Sequence, residues 1–324
     1  SDLFISKYLH LPRYHSSSFS IYTTATTSPP SYSPSPPIST MPSSLSPAIL
    51  HNPSLSSASL PNQPLLRTRK PPPVLCSAKD PLLQHFHNRK ALKIITGLRN
   101  LNKENVAAVV SAADKGGATL VDIACDVDLV NLASSLTSLP ICVSSVDPSS
   151  FPAAVAAGAS MVEIGNYDAF YEEGTVFSPE QILNMTIETK RILPSITLSV
   201  TVPHTLPLPD QAKFAELLEI NGADIIQTEG GKSSSPNTPG VIGFIEKATP
   251  SLAAAYLISR AVRIPVLCSS GISSVTAPMA ITSGASGVGV GSAVNKLNDV
   301  VAMVAEIRSI ADSIGIPVKN FQLV

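Results

Sequence analysis

From about residue 85 onward, short β-branched runs alternate with Ala- and Leu-rich stretches of helical length. The apolar runs predict strands at 92–98, 120–125, 141–146, 161–166, 197–203, 225–229, 265–270 and 287–292. The stretches between them predict helices near 103–115, 127–137, 149–157, 179–192, 210–220, 250–261, 275–283 and 299–313. Strict strand–helix alternation implies parallel pairing through right-handed crossovers. Eight such units over residues 85–316 match a (β/α)8 barrel, leaving 317–324 as a tail. A doubly wound sheet needs a Gly-rich turn after its first strand, and Thr96-Gly97-Leu98-Arg99 does not supply one.

Local chemistry marks the boundaries. Ser178-Pro179-Glu-Gln181 offers an N-cap serine, a proline at the first helical position and a glutamine at the third. Gly116, Gly158, Gly222 and Gly284 each stand at the end of a helix, followed by Ala or Gly and the next strand. Two connections are long for this architecture: 167–177, with four aromatics, and 230–240, rich in Gly, Ser and Pro. Both follow strands, which places them at the ligand-binding face of a barrel. The first is expected to cover an apolar or planar ligand and the second to close as a lid.

Side chains alternate along a strand, so bulky apolar residues facing the helices fix which residues face the barrel centre. Val121 and Ile123 outward turn Asp122 inward; Val162 and Ile164 outward turn Glu163 and Gly165 inward. The same parity sends Lys93, Ser199, Thr201, Gln227 and Glu229 inside. Barrel interiors are ordinarily filled by Val, Ile and Leu, and buried charge must be paired. One reading is a structural network of Lys93 with Asp122 and Glu163. The other makes these groups catalytic, with Lys93 as a Schiff-base amine and carboxylates moving protons α to a carbonyl. Glu229, at the C-terminal end of its strand, is the candidate general base. His204, just after strand 5, is the candidate acid–base histidine.

The last two strands end in small residues, Ser269-Ser270-Gly271 and Gly289-Val290-Gly291-Ser292. In an eight-fold barrel the loops after strands 7 and 8 commonly hold a phosphate. Glycines allow close backbone approach to an anion. Ser270, Gly271, Gly291 and Ser292 are therefore the candidate phosphate cradle, with Gly230, Gly231 and Lys232 as further contacts.

Composition changes the picture mainly at the front. Residues 1–79 hold one acidic residue, Asp2, against six basic ones, and are crowded with Ser, Thr and Pro. Such a segment buries too little apolar surface to order itself and has the composition of an organelle transit peptide. Met41 is the expected translation start, and Val74-Leu-Cys76 before Ser77 resembles a stromal processing site. The remainder carries 16 basic and 22 acidic residues, a balance of about −6 that argues against a nucleic-acid partner. No continuous apolar run of membrane-spanning length is present, so no membrane partner is expected. Cys125, Cys142 and Cys268 fall in strand-like stretches without metal spacing, and no metal site is expected.

Three runs in order, Ala91-Leu-Lys-Ile-Ile-Thr-Gly-Leu98, Gly117-Ala-Thr-Leu-Val-Asp-Ile-Ala124 and Gly287-Val-Gly-Val-Gly-Ser-Ala-Val294, resemble the hypothetical chloroplast open reading frame 23 proteins of plastids and cyanobacteria. The resemblance covers roughly 85–315. It implies a TIM barrel of the aldolase type and supplies no catalytic residues; together with the transit-peptide reading of the leader, the expected location is the chloroplast stroma. The strand 7 and 8 motifs also resemble phosphate-binding barrels at large, among them FMN enzymes. Ser-Gly-Ile where Gly-Gly-Ile is frequent, and a missing arginine just after, weigh against FMN more than against phosphate. Three functions are therefore expected in order: an enzyme of aldolase, isomerase or synthase type on a small phosphorylated metabolite, an FMN-binding oxidoreductase, and a non-catalytic regulatory barrel.

Overall fold

The computed structural model describes residues 81–171, 173–231 and 238–317. The leader at 1–79, the start at Met41, the processing site at Cys76, Lys232 and residues 318–324 lie outside the described residues. The chain begins with α1 (Pro81–His87), β1 (Ala91–Ile95), α2 (Lys103–Gly116), β2 (Leu120–Ala124), α3 (Val127–Leu136) and β3 (Ile141–Ser145). It continues through α4 (Phe151–Ala156), β4 (Met161–Ile164), α5 (Asp168–Tyr171), α6 (Pro179–Ile192), β5 (Thr197–Val202), α7 (Leu208–Ile220) and β6 (Ile225–Thr228). It ends with α8 (Gly240–Ala261), β7 (Val266–Ser269), α9 (Ala277–Ser283), β8 (Gly287–Val290), α10 (Ser292–Asn295) and α11 (Val300–Ser313). The eight strands are parallel, each pairs with its sequence neighbours, and β8 returns to β1 to close the barrel.

Strand parity follows the apolar pattern. Leu92, Ile94, Val121, Ile123, Val162, Ile164, Leu198, Val200, Val288 and Val290 pack outward with the helices in the main core. Ala91, Leu120, Cys142, Met161, Ile225 and Leu267 form a second apolar cluster, with Leu82 and Phe86 of α1 against it. These strand residues stand at or next to the N-terminal ends of their strands, so α1 plugs the bottom of the barrel. The sequence pattern begins too late to show that helix.

Capping chemistry sets several boundaries. Ser178 and Gln181 form a reciprocal capping box at the start of α6. The stop of α2 is Gly117, left-handed at φ 90°, rather than Gly116. Gly116 instead lies where α11 crosses, and an added Cβ would come within 2.5 Å of Ile307. β1 ends at Ile95, three residues earlier than the pattern predicts, because Gly97 at φ 106° turns the chain and Asn100 donates to the Thr96 carbonyl. α8 starts ten residues earlier than predicted, with Pro250 inside it. Read as a helix of 22 residues, it is long and apolar enough to cross a membrane, which the sequence pattern did not show. Here its Ala248, Ser251, Ala254, Ala255 and Ile258 are buried.

Candidate functional site

The inward polar residues meet inside the barrel. Lys93 Nζ donates to Glu163 Oε2 at 2.5 Å and lies 3.8 Å from Asp122 Oδ2, with all three side chains essentially inaccessible. Ser199 and Gln227 donate to Glu163 at 2.7 Å each, Gln227 also donates to Thr201, and Ser144 donates to Asp122 at 2.6 Å. Burial alone would pull the Lys93 pKa down, but the charges of Glu163 and Asp122 override it and hold the ammonium protonated well above its ordinary range. Burial pushes Asp122 up to about 6, against the pull of Lys93 and with the push of Glu163. To act as a Schiff-base amine, Lys93 would have to leave this pairing and lose its proton. Lys93, Asp122 and Glu163 form a structural ionic layer, above the apolar bottom and below the mouth.

Above that layer Glu229 directly follows β6 and is 4% exposed. Its carboxylate accepts from the Asp168 N–H at 3.2 Å, Tyr171 OH at 2.8 Å, the His204 N–H at 3.2 Å and His204 Nδ1 at 3.0 Å. Four donors converge on its two oxygens, and the bond to Nδ1 orients the His204 ring. The hydrogen bond to Glu229 raises the His204 pKa, burial opposes it, and the Glu229 and Asp168 charges add to the rise. Asp168 Oδ1 lies 4.0 Å from His204 Nδ1. Asp168, His204 and Glu229 thus present ligand atoms within 4.8 Å of one another, a cluster with metal-compatible chemistry that sequence spacing did not show. The aromatics of the long loop after β4 pack on one another and on the barrel, while Asp168 and Ala169 of the same loop line the mouth. Phe170 meets Phe177 edge-on at 5.3 Å, Tyr167 is buried and donates to the Thr201 carbonyl, and Tyr171 packs on His204.

The mouth holds a cavity of about 690 Å3. Ser270, Gly271, Gly291 and Ser292 line it together, so the two glycine-containing rims converge as the sequence predicts. Gly231 also lines it, whereas Gly230 faces a separate cavity of about 360 Å3 shared with His204, Glu229, Leu206, Leu208, Gln211 and Pro250. The absence of a side chain at Gly230 is needed for packing, since a Cβ would sit 2.5 Å from Ser251 Oγ. Glu229 and His204 therefore stand beside the larger cavity, and Asp168, next to them, lines it.

Sequence reasoning missed Arg99, Asn166, Asp168, Lys247, Asn295 and Lys296, all of which line the larger cavity. Arg99 is engaged by Glu173, by the Ala169 carbonyl and by the Phe170 ring. Lys247, on α8, and Lys296, just after α10, have no ion-pair partner among the described residues. Burial lowers the Lys247 pKa and the Lys296 charge lowers it further. Two non-glycine residues at this mouth, Asn166 and Ser270, hold left-handed backbone, φ 62° and 78°. Such conformations cost about 1–3 kcal/mol each and gather at functional sites. Lysines and an asparagine on helices and loops carry no periodic signal, so only the left-handed demand at the strand ends leaves a faint trace, in the adjacent glycines.

A closed barrel of eight parallel strands, with a polar interior and small-residue rims at its C-terminal mouth, defines a (β/α)8 TIM barrel. The chain belongs to the family described as Protein of unknown function (DUF561), whose model matches residues 76–319. It is 39% identical over 229 residues to the "Uncharacterized protein ycf23" of Porphyra purpurea, covering 71% of this chain and 86% of that one. The protein of the same name from Cyanophora paradoxa is 39% identical over 227 residues, covering 70% and 93%. Among solved structures, 3-hexulose-6-phosphate synthase aligns with TM-score 0.50 at 14% identity, over 69% of this chain and 99% of that one. GGGPS from Thermoplasma volcanium aligns with TM-score 0.50 at 12% identity, over 74% and 99%. Likeness at this level shows the fold alone.

Proposed function

We propose that this chain is a plastid enzyme acting on a small phosphorylated metabolite, with chemistry of the lyase or isomerase kind. One observation supports it above the rest: both small-residue rims and two lysines without ion-pair partners among the described residues converge on one cavity. Two neighbouring cations without carboxylate partners repel each other, and a bound phosphate dianion relieves that repulsion. The cavity is large enough for a body beyond the phosphate, and the Asp168–His204–Glu229 cluster at its edge supplies proton-transfer groups. The acid-poor leader and the names of the algal relatives support the plastid, and the leader's composition supports the stroma.

The test is a thermal-shift screen of the full chain with inorganic phosphate, sugar phosphates and FMN. A ligand at 100 times its Kd adds about 2.7 kcal/mol of apparent stability. Phosphorylated sugars should raise the melting temperature, and Lys296→Met should remove most of that rise. A panel in which no phosphate compound stabilises the chain would sink the reading. Stabilisation by FMN with a yellow purified protein would replace it with a flavin enzyme.

A further inference from the structure

Resting on that reading of the cavity, we infer that Lys247 is its nucleophilic amine and that the ligand is a phosphorylated aldehyde or ketone. Geometry places this residue on the wall of the cavity, beside the first rim. Gly271, in the first rim, packs so tightly on α8 that an added Cβ would stand 2.6 Å from the Lys247 carbonyl oxygen and 3.1 Å from the Ala248 nitrogen. The rim thus abuts the helix at the residue that bears the amine, and Lys247 lines the cavity with Ser270 and Gly291. Several other amines of the barrel are committed elsewhere. Lys93 is locked to Glu163, Lys190 to Asp224 and Lys103 to Asp128, while Lys90 donates to the Gly315 carbonyl.

The two cavity lysines divide the work. Lys296 is exposed at the rim of the cavity, which suits it to a phosphate. Lys247 is half-buried and carries no carboxylate partner among the described residues. Partial desolvation and a neighbouring cation both favour its neutral form, the two devices that activate a lysine for carbonyl chemistry. The other charged groups of this cavity are Arg99, tied to Glu173, and Asp168. In the step, the neutral amine adds to the carbonyl carbon to give a carbinolamine. The carbon–oxygen bond then breaks, both amine hydrogens leave with that oxygen as water, and a carbon–nitrogen double bond remains. No oxidant or reductant is needed. The imine withdraws electrons from the adjacent carbon, the activation that carbon–carbon cleavage or proton loss requires.

The experiment uses the full chain, pyridoxal 5′-phosphate as the phosphorylated aldehyde, borohydride to trap the imine, and peptide mass mapping. Label should concentrate on Lys247, and inorganic phosphate should protect it. Unphosphorylated pyridoxal should label it about tenfold less, a difference of about 1.4 kcal/mol in recognition. Lys247→Arg keeps the charge, so it should lose the label while inorganic phosphate still raises the melting temperature. Labelling of Lys247 should also reach half-maximum at lower pH than that of Lys103, whose amine is held protonated by Asp128. Label spread evenly over Lys103, Lys213 and Lys296, or unchanged labelling of Lys247→Arg, would overturn the inference even with phosphate binding intact. Label on Lys247 without phosphate stabilisation or protection would keep the amine and discard the phosphate cradle.

Discussion

At the scale of single residues, the ionic layer is decided by the cost of buried charge. Removing one partner of a buried pair costs about 3–5 kcal/mol, because the other charge is left uncompensated. Glu163→Gln should therefore destabilise the chain by about that much in urea unfolding, since it strands Lys93 without its closest carboxylate. A loss below about 1 kcal/mol would mean that the layer is hydrated rather than sealed. Asp122 behaves differently. Its folded pKa of about 6 exceeds the ordinary 3.8, so its contribution to stability is complete below pH 3.8 and is lost as pH rises through about 6. Asp122→Asn should flatten the stability profile between pH 4 and 6, by a difference on the order of 1–3 kcal/mol across the window. His204 has the same sign. Its folded pKa is raised by the hydrogen bond to Glu229, so its contribution is full below the ordinary value of 6.5 and fades as pH rises through the folded value. Glu229→Gln should lower the His204 pKa in an NMR titration; an unmoved value would show that Glu229 does not hold the imidazolium.

At the scale of elements, glycines decide how closely the mouth can be built. Gly271→Ala places a Cβ at φ 73° against the α8 backbone, where backbone cannot move aside cheaply. Strain and overpacking of this kind cost about 1–3 kcal/mol, read as a fall in melting temperature. The same substitution should weaken phosphate binding, because the rim and Lys247 would part. Gly291→Ala is the control, since its nearest neighbour would be 3.6 Å away, and it should be far milder. The strands were legible because their outward faces are β-branched and regular, and α6 was legible because its cap is spelled out in Ser178-Pro179-Glu-Gln181. α8 was misread because proline is common at a helix start, and Pro250 stands in for one in mid-helix. Four-residue α5 is too short to leave a period, so Asp168 looked like loop. The rims of the site could be read, since glycine reports its own backbone demand. The side chains that face them could not, since Lys247, Lys296 and Asp168 converge only through the closure of the barrel.

At the scale of the whole molecule, the barrel is divided along its axis. Apolar residues from Ala91 to Leu267 close the bottom, the ionic layer lies above them, and the rims with their cavity stand at the top. This order makes α1 a structural stopper. Phe86 is fully buried against the bottom cluster, so it keeps water from a layer whose charges depend on exclusion of water. Truncating a buried phenylalanine costs about 3–5 kcal/mol, from lost transfer energy and the cavity left behind. Phe86→Ala should lower the urea midpoint by that amount and speed hydrogen exchange along the starts of the strands. It should leave the additional stabilisation by inorganic phosphate unchanged, because the mouth is built from opposite strand ends. Stability in these barrels belongs to the bottom and ligand chemistry to the top. If Phe86→Ala instead removed phosphate binding while the urea midpoint held, the two ends would be coupled, and the division of the barrel into stopper, ionic layer and mouth would fail.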